Sequence, residues 1–204
     1  MKIVALSDTH FSALPKRRLE GDILIHAGDF YDSCDQSDID LVQLNRWFAD
    51  QDFKEKIYVP GNHDYPVFRS WSRNETKLTE AKLLVDRSLA FEGYRIYGSP
   101  WVPNCGMAFE IDEEDIFEKW EAIPNDTDIL ITHMPPRYIL DSVPHIGNLG
   151  CPDLQARVFQ FRPKVHVFGH VHACFGCARL ECITFANASQ LGPHGPRAPV
   201  VLDM

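Results

Sequence analysis

Ile3-Val4-Ala5-Leu6-Ser7-Asp8-Thr9-His10 opens as an apolar run and closes on residues that ligate metals. The same order of events returns four times. Asp22-Ile23-Leu24-Ile25-His26 leads into Ala27-Gly28-Asp29, and Ile57-Tyr58-Val59 into Pro60-Gly61-Asn62-His63-Asp64. Asp128-Ile129-Leu130-Ile131 leads into Thr132-His133, and Val165-His166-Val167-Phe168 into Gly169-His170-Val171-His172. Each apolar run reads as a strand. Open α/β sheets gather ligands at the carboxyl ends of their strands, so the pattern predicts one site built from Asp8, His10, Asp29, Asn62, His133, His170 and His172.

The residue types suit a pair of metal ions. Two ions about 3.5 to 4 Å apart polarise a phosphoryl oxygen, hold the leaving oxygen and turn bound water into hydroxide near neutral pH. They need a carboxylate able to bridge, with imidazole and carbonyl oxygen around it, which disfavours an all-oxygen magnesium or calcium cage. Two divalent ions are expected, manganese first, with iron, cobalt, nickel and zinc left open by the same mixed donors. Asp8-Thr9-His10 and His170-Val171-His172 place ligands at i and i+2, predicting that each pair projects from one face of a strand end. Glycines before Asp29, Asn62 and His170 predict sharp turns and close backbone approach to the ions. Any one of the seven residues alone reads as an ordinary turn or satisfied polar group. Nothing structural requires the whole set in this order.

Composition bounds the rest. The chain has 204 residues, 45% hydrophobic and 24% charged, the profile of a soluble globular protein, and a single domain over 1–204 is expected. With 29 acidic against 20 basic residues the net charge is -9, which argues against a large nucleic-acid footprint but not against a nucleotide substrate. No segment has the length of a membrane span and no leader precedes Asp8, so a cytoplasmic protein with reduced thiols and no membrane partner is expected. Cys174-Phe175-Gly176-Cys177 has the spacing of half a zinc knuckle without a second pair. The sequence leaves the oligomeric state open. Helices are expected over residues 37–50, 112–122 and about Asp153 to Phe161. Ser37 opens the first, with Ile39, Leu41, Val42, Leu44, Trp47 and Phe48 as its apolar stripe, and the second buries Ile116, Phe117 and Trp120. Strands near Tyr94–Tyr97, Leu180–Phe185 and Val200–Leu202 lack helices between them.

Asp8-Thr9-His10, Gly28-Asp29-Phe30-Tyr31-Asp32, Gly61-Asn62-His63-Asp64, Thr132-His133 and Gly169-His170-Val171-His172 resemble, in order, the five blocks of the calcineurin-like metallophosphoesterase superfamily. His133-Met134-Pro135-Pro136-Arg137, the stretch from Arg162 to His170 and Phe185-Ala186-Asn187-Ala188-Ser189 are similar to the metallophosphoesterase-domain-containing phosphodiesterases, a branch close to the class III cyclic nucleotide phosphodiesterases. The resemblance implies an α/β fold, a four-layer α/β/β/α sandwich of two mixed β-sheets flanked by helices. It implies that Asp8, His10 and His172 hold one ion, that Asn62, His133 and His170 hold the other, and that Asp29 bridges them. Catalytic roles fall to His63, which contacts phosphate and assists the leaving group, and to Asp64, which orients His63. The implied reaction is hydrolysis of small phosphodiesters or cyclic nucleotides by attack of a metal-bridging hydroxide on phosphorus. A phosphomonoesterase, a small nuclease and a non-catalytic metal-binding scaffold are the alternatives. Ser33-Cys34 and Asp64 stand where the serine/threonine phosphatases carry Arg-Gly and Glu, and no tyrosine takes the ligand position of the purple acid phosphatases. Those two activities fit poorly.

Asp32 reads as a turn or helix-start residue rather than a ligand, and His26 and His166 as core groups or supports behind the ligands. Arg137 is either a phosphate or nucleotide contact or a surface arginine. His145 and His194 read as surface loop histidines within possible reach of substrate.

Overall fold

The computed structural model describes residues 1–32 and 40–204. Its main strands form two mixed sheets. Across its width one sheet runs Val200–Asp203, Lys2–Leu6, Glu20–His26, Asp52–Tyr58 and Lys82–Leu83. The other runs Gly176–Leu180, Ile183–Asn187, Val165–Phe168, Ile129–Thr132, Tyr94–Ser99 and Arg87–Phe91. Central strands in both are parallel, while Val200–Asp203, Gly176–Leu180 and Arg87–Phe91 lie antiparallel at edges.

Successive side chains of a strand point to opposite faces. Ile3, Ala5, Ile23, Ile25, Ile57 and Val59 of the first sheet meet Ile96, Ile129, Ile131, Val165, Val167 and Ala186 of the second, and these fill the space between the sheets. Each fully buried aliphatic of this kind contributes about 1.5 to 3 kcal/mol. The alternate residues, Leu6, Leu24 and Tyr58 on one sheet and Leu130, Phe168 and Phe185 on the other, belong to the core shared with the helices. Helix α1 (Asp40–Ala49), with α2 (Tyr65–Ser72) beside it, covers the first sheet: Trp47 lies 5.9 Å from His26 and Phe48 6.0 Å from Tyr58, ring to ring. Helix α4 (Pro152–Phe161), with α3 (Ile116–Glu121) beside it, covers the second, Phe159 lying 6.1 Å from Phe185. The result is the expected four-layer sandwich.

Several local expectations change. Ser37 and Ile39 lie outside the described residues, and within α1 Leu41, Leu44 and Phe48 are buried while Val42 is 67% exposed. Residues 112–115 form a turn before α3, and Phe117 is 55% exposed because Ile116 and Trp120, at i and i+4, own the inner face. The single strand expected over 180–185 is a hairpin turning at Glu181, whose φ is 52°. Helix α2 was not foreseen; Pro66 in its first turn lacks only an N–H that has no helical partner there. Cys105, Cys151, Cys174, Cys177 and Cys182 are free thiols, and Cys34 lies outside the described residues. Among the described residues no helix is long and apolar enough to cross a membrane.

The carboxyl ends of the two sheets meet. Ser7, just past the first strand, bridges to Ser189, its N–H donating to Ala188 O at 2.9 Å and its carbonyl accepting from Gln190 N at 2.8 Å. That junction sets the ligands of both sheets facing one another.

Candidate metal centre

Four of the seven predicted ligands sit beyond their strands in the left-handed region: Asp8 (φ 51°), His10 (φ 41°), Asp29 (φ 56°) and His170 (φ 66°). Such a backbone costs on the order of 1 to 3 kcal/mol per non-glycine residue and persists only where its surroundings enforce it. Here the ligand loops enforce one another. Asp8 N–H donates to Gly28 O at 2.8 Å, His10 N–H to Asp29 O at 3.1 Å, and His170 N–H to the Asp8 carboxylate at 3.0 Å. The expected projection from one strand face is therefore replaced by left-handed turns. Asp8 and His10 still converge, but His170 and His172 part to different groups.

The structure brings all seven residues together in two donor groups. Asp8, His10 and His172 form one, with Asp8 Oδ1 3.2 Å from His172 Nε2. Asp29, His133 and His170 form the other, and Asn62 joins it: Asn62 Oδ1 lies 3.0 Å from both His133 Nε2 and His170 Nδ1. Asp29 stands between the groups, its Oδ2 3.2 Å from His133 Nε2 and 4.0 Å from His10 Nε2. Asp8, Asp29, Asn62, His10 and His133 are buried.

These donors fit divalent cations. His10 Nδ1 lies 2.8 Å from Tyr31 O and His133 Nδ1 2.8 Å from Ala27 O. A carbonyl only accepts, so both Nδ1 atoms carry hydrogen and each Nε2 turns toward the cluster, as metal-bound imidazoles are held. Without an ion a proton neutralises part of the negative charge. Burial opposes charge on His133, yet Asp29 and Asp8 push its imidazole up to about 10. Burial would raise both carboxyls, but His172 and His133 hold Asp8 low, and His133 holds Asp29 low. A divalent cation held by these residues would take the place of that proton. The glycines permit the close nesting: a Cβ on Gly61 would strike Asp29 Oδ1 and the His133 ring, and one on Gly169 would strike Ser7 and the Asp8 carboxylate. The backbone thus approaches the candidate ligand side chains closely at both glycines.

Asp64 has a different task from the one expected. Its buried carboxylate accepts the amides of Asp29 (2.9 Å), Phe30 (3.0 Å) and Gly61 (2.5 Å), tying the loop of Asp29 to the loop of Asn62. Burial, with Asp29 nearby, raises its carboxyl to about 6. It does not orient the His63 ring, whose Nδ1 is buried without a partner among the described residues. His63 is placed instead by its backbone N–H, which donates to Asp29 Oδ1 at 2.8 Å, and its ring stands edge-on to His10 with centroids 4.9 Å apart. Burial lowers its basicity.

Supports from the chain's last third carry little sequence signal. Ser189 Oγ donates to Asp8 Oδ2; Asn187 Nδ2 donates to Val171 O and Leu140 O, both at 3.0 Å; Arg197 Nη1 donates to His172 O at 2.7 Å. Only Phe185–Ser189 drew notice in the sequence, and then without a task. Asp32 is exposed, 3.9 Å from His10 Nδ1. The Arg137 guanidinium lies 5.3 Å over the Tyr138 ring, and His145 and His194 are exposed. Cys174 Sγ donates to Ser142 O at 2.9 Å, and neither it nor Cys177 joins a donor group among the described residues.

His26 and His166 repeat one arrangement behind the two ligand sets. His26 Nε2 lies 3.0 Å from Thr9 Oγ1, between Asp8 and His10, and His166 Nε2 lies 2.8 Å from Thr132 Oγ1, next to His133. Thr132 Oγ1 donates to Met134 O at 2.6 Å, so it accepts from His166 Nε2–H. Burial pushes both imidazoles down to about 3 from an ordinary 6.5. The folded protein refuses a proton that the unfolded chain accepts below 6.5, so this stability is present above that pH and is lost as pH falls toward 3. Between pH 7 and pH 5 the two residues are expected to cost about 3 to 4 kcal/mol. Urea unfolding at both pH values checks it: His166→Gln should remove about half of this pH-dependent loss, and an unchanged loss would refute the assignment.

Residues 1–174 match the family model of the calcineurin-like phosphoesterases. The chain is 35% identical over 237 aligned positions to Metallophosphoesterase domain-containing protein 1 of Homo sapiens, spanning 100% of this chain and 71% of that protein. The Mus musculus protein of the same name gives the same figures. The crystal structure of Phosphopantetheinyl Hydrolase (PptH) from Mycobacterium tuberculosis has the same fold, with a TM-score of 0.58 at 16% identity over 92% of this chain and 88% of that one.

Proposed function

Since this chain belongs to the calcineurin-like phosphoesterase family, we propose that it is a phosphodiesterase that hydrolyses small phosphodiesters, cyclic nucleotides among them, with two divalent ions, manganese foremost. The observation that carries the proposal is the position of Asp29, one carboxylate oxygen 3.2 Å from His133 Nε2 and 4.0 Å from His10 Nε2, between two sets of donors. When bound, the ions supply positive charge to phosphoryl oxygens and make a water more acidic.

The chain's residues do the placing. Asp8, His10 and His172 would hold one ion, Asn62, His133 and His170 the other, and Asp29 both. His63 stands beside them, its half-buried ring edge-on to His10, positioned to hydrogen-bond a phosphoryl oxygen or to deliver a proton to the departing alkoxide. Asp64 keeps the loops of Asp29 and Asn62 at one spacing, so the two donor groups stay matched to a single phosphorus. The diester preference is supported by the likeness of His133–Arg137 and Phe185–Ser189 to the phosphodiesterase branch. The net charge of -9 supports small substrates over long nucleic acid.

Initial rates on a bis-aryl diester and the matching aryl monoester, at one pH with manganese, test the reading. The diester is expected to be cleaved faster. A strong monoester preference would make the protein a phosphatase, and inactivity on both with two ions bound would make it a scaffold.

A further inference from the structure

Asn62 poses a problem of orientation. A carboxamide has an accepting end and a donating end of nearly equal size, and only the oxygen serves a cation. Asn62 is 4% exposed, with Oδ1 3.0 Å from His133 Nε2 and 3.0 Å from His170 Nδ1. Turned over, the same side chain would aim two N–H groups at the ion. Something must favour one orientation before the ion arrives.

Met107 stands at the other end of the amide, its Sδ 3.1 Å from Asn62 Nδ2. A thioether sulfur accepts weakly and cannot donate, so it tolerates the NH2 end and repels the oxygen. The sulfur is held in place by its loop. Val102–Pro103 pairs with Glu110–Ile111, Val102 N–H donates to Phe109 O at 3.1 Å, and Phe109 packs with Phe68, Trp71 and Trp101 at centroid distances of 5.1, 5.7 and 6.1 Å. The same loop grips the Asn62 backbone, Ala108 N–H donating to Asn62 O at 3.1 Å. One loop therefore fixes both the main chain and the amide of this residue.

We propose that Met107 is a positioning residue: its sulfur holds the Asn62 carboxamide with the oxygen toward His133 and His170, and so sets affinity for the ion in that group. The inference rests on the dinuclear reading above. Its size follows from the general behaviour of groups that orient a metal ligand, whose removal costs about 10- to 100-fold in metal affinity.

Manganese titration of the metal-free full chain, followed by calorimetry, tests it in three proteins. Wild type should take up two ions. Met107→Leu keeps the volume but has no acceptor, so one ion should bind as in wild type and the other 10- to 100-fold more weakly. Met107→Gln brings back an accepting oxygen at a similar reach and should recover affinity to within a few-fold of wild type. Packing alone would give the opposite order, with leucine harmless and glutamine harmful, and that order would overturn the proposal. Two ions bound by Met107→Leu with wild-type affinity would overturn it while leaving the dinuclear reading intact. Fewer than two ions on wild type would overturn both. In metal-free protein the Asn62 side-chain amide resonances give a second readout: they should shift in Met107→Leu and return toward wild type in Met107→Gln, and no shift would refute the contact.

Discussion

Asp29→Ala is expected to bind no more than one ion and to lose at least about a thousandfold in turnover, or about 4 kcal/mol of transition-state stabilisation. The side chain does three things at once. Its Oδ2 faces both donor groups, its Oδ1 accepts the backbone N–H of His63 at 2.8 Å, and its charge holds His133 protonated when no ion is present. Removing it unlinks the groups, frees the peptide that places His63 and leaves a void beside Gly61. Asp29→Asn keeps the shape and an acceptor for His63 N–H, so it should damage metal binding more than fold. Elemental analysis and turnover read the two effects together. A proton NMR titration of the metal-free variant should show His133 losing its proton at lower pH than in wild type. Two ions retained by Asp29→Ala with undiminished turnover would remove Asp29 from its bridging place.

His63→Ala is expected to keep both ions and the fold and to lose about 100- to 10,000-fold in turnover, the usual range for general acid catalysis. The contact that places His63 uses its backbone N–H, which alanine retains, so only the imidazole is deleted. Among the described residues its Nδ1 has no partner to be left unsatisfied. The leaving group separates two roles for the ring. A nitrophenolate departs without help, so the loss should be smaller on an aryl diester than on a nucleotide diester that releases an alkoxide. Equal losses would assign His63 to the phosphoryl oxygens instead, and a variant short of one ion would show that His63 ligates metal.

The convergence of the seven donors was legible because each follows an apolar run, and chain order alone signals convergence once the strands lie parallel. The outer layers were legible where periodicity was clean, as at Leu41, Leu44 and Phe48. Backbone conformation was not: Asp8, His10, Asp29 and His170 are not glycine, and their positive φ values come from loops that meet only in the folded chain. Asp64 was misread for a related reason. Its partners are four main-chain amides, of Asp29, Phe30, Tyr31 and Gly61, a group every residue but proline has, so adjacency to His63 was the only clue on offer. Phe117 and Val42 failed because a short helix has one inner face, already taken by Ile116 with Trp120 and by Leu41 with Leu44.

The junction at Ser7 and Ser189 has a consequence in time. A chain made from its amino end delivers Asp8 well before Ser189, whose hydroxyl caps that carboxylate, and before Val200–Asp203, which flanks the strand leading to it. By residue 174 every one of the seven donors exists, yet the groups that hold Asp8 and His172 in place do not. The seven donors thus precede in the chain the contacts that hold Asp8 and His172 in place. The site is complete only when a pairing about 200 residues apart in sequence closes, the kind of distant contact that makes folding slow.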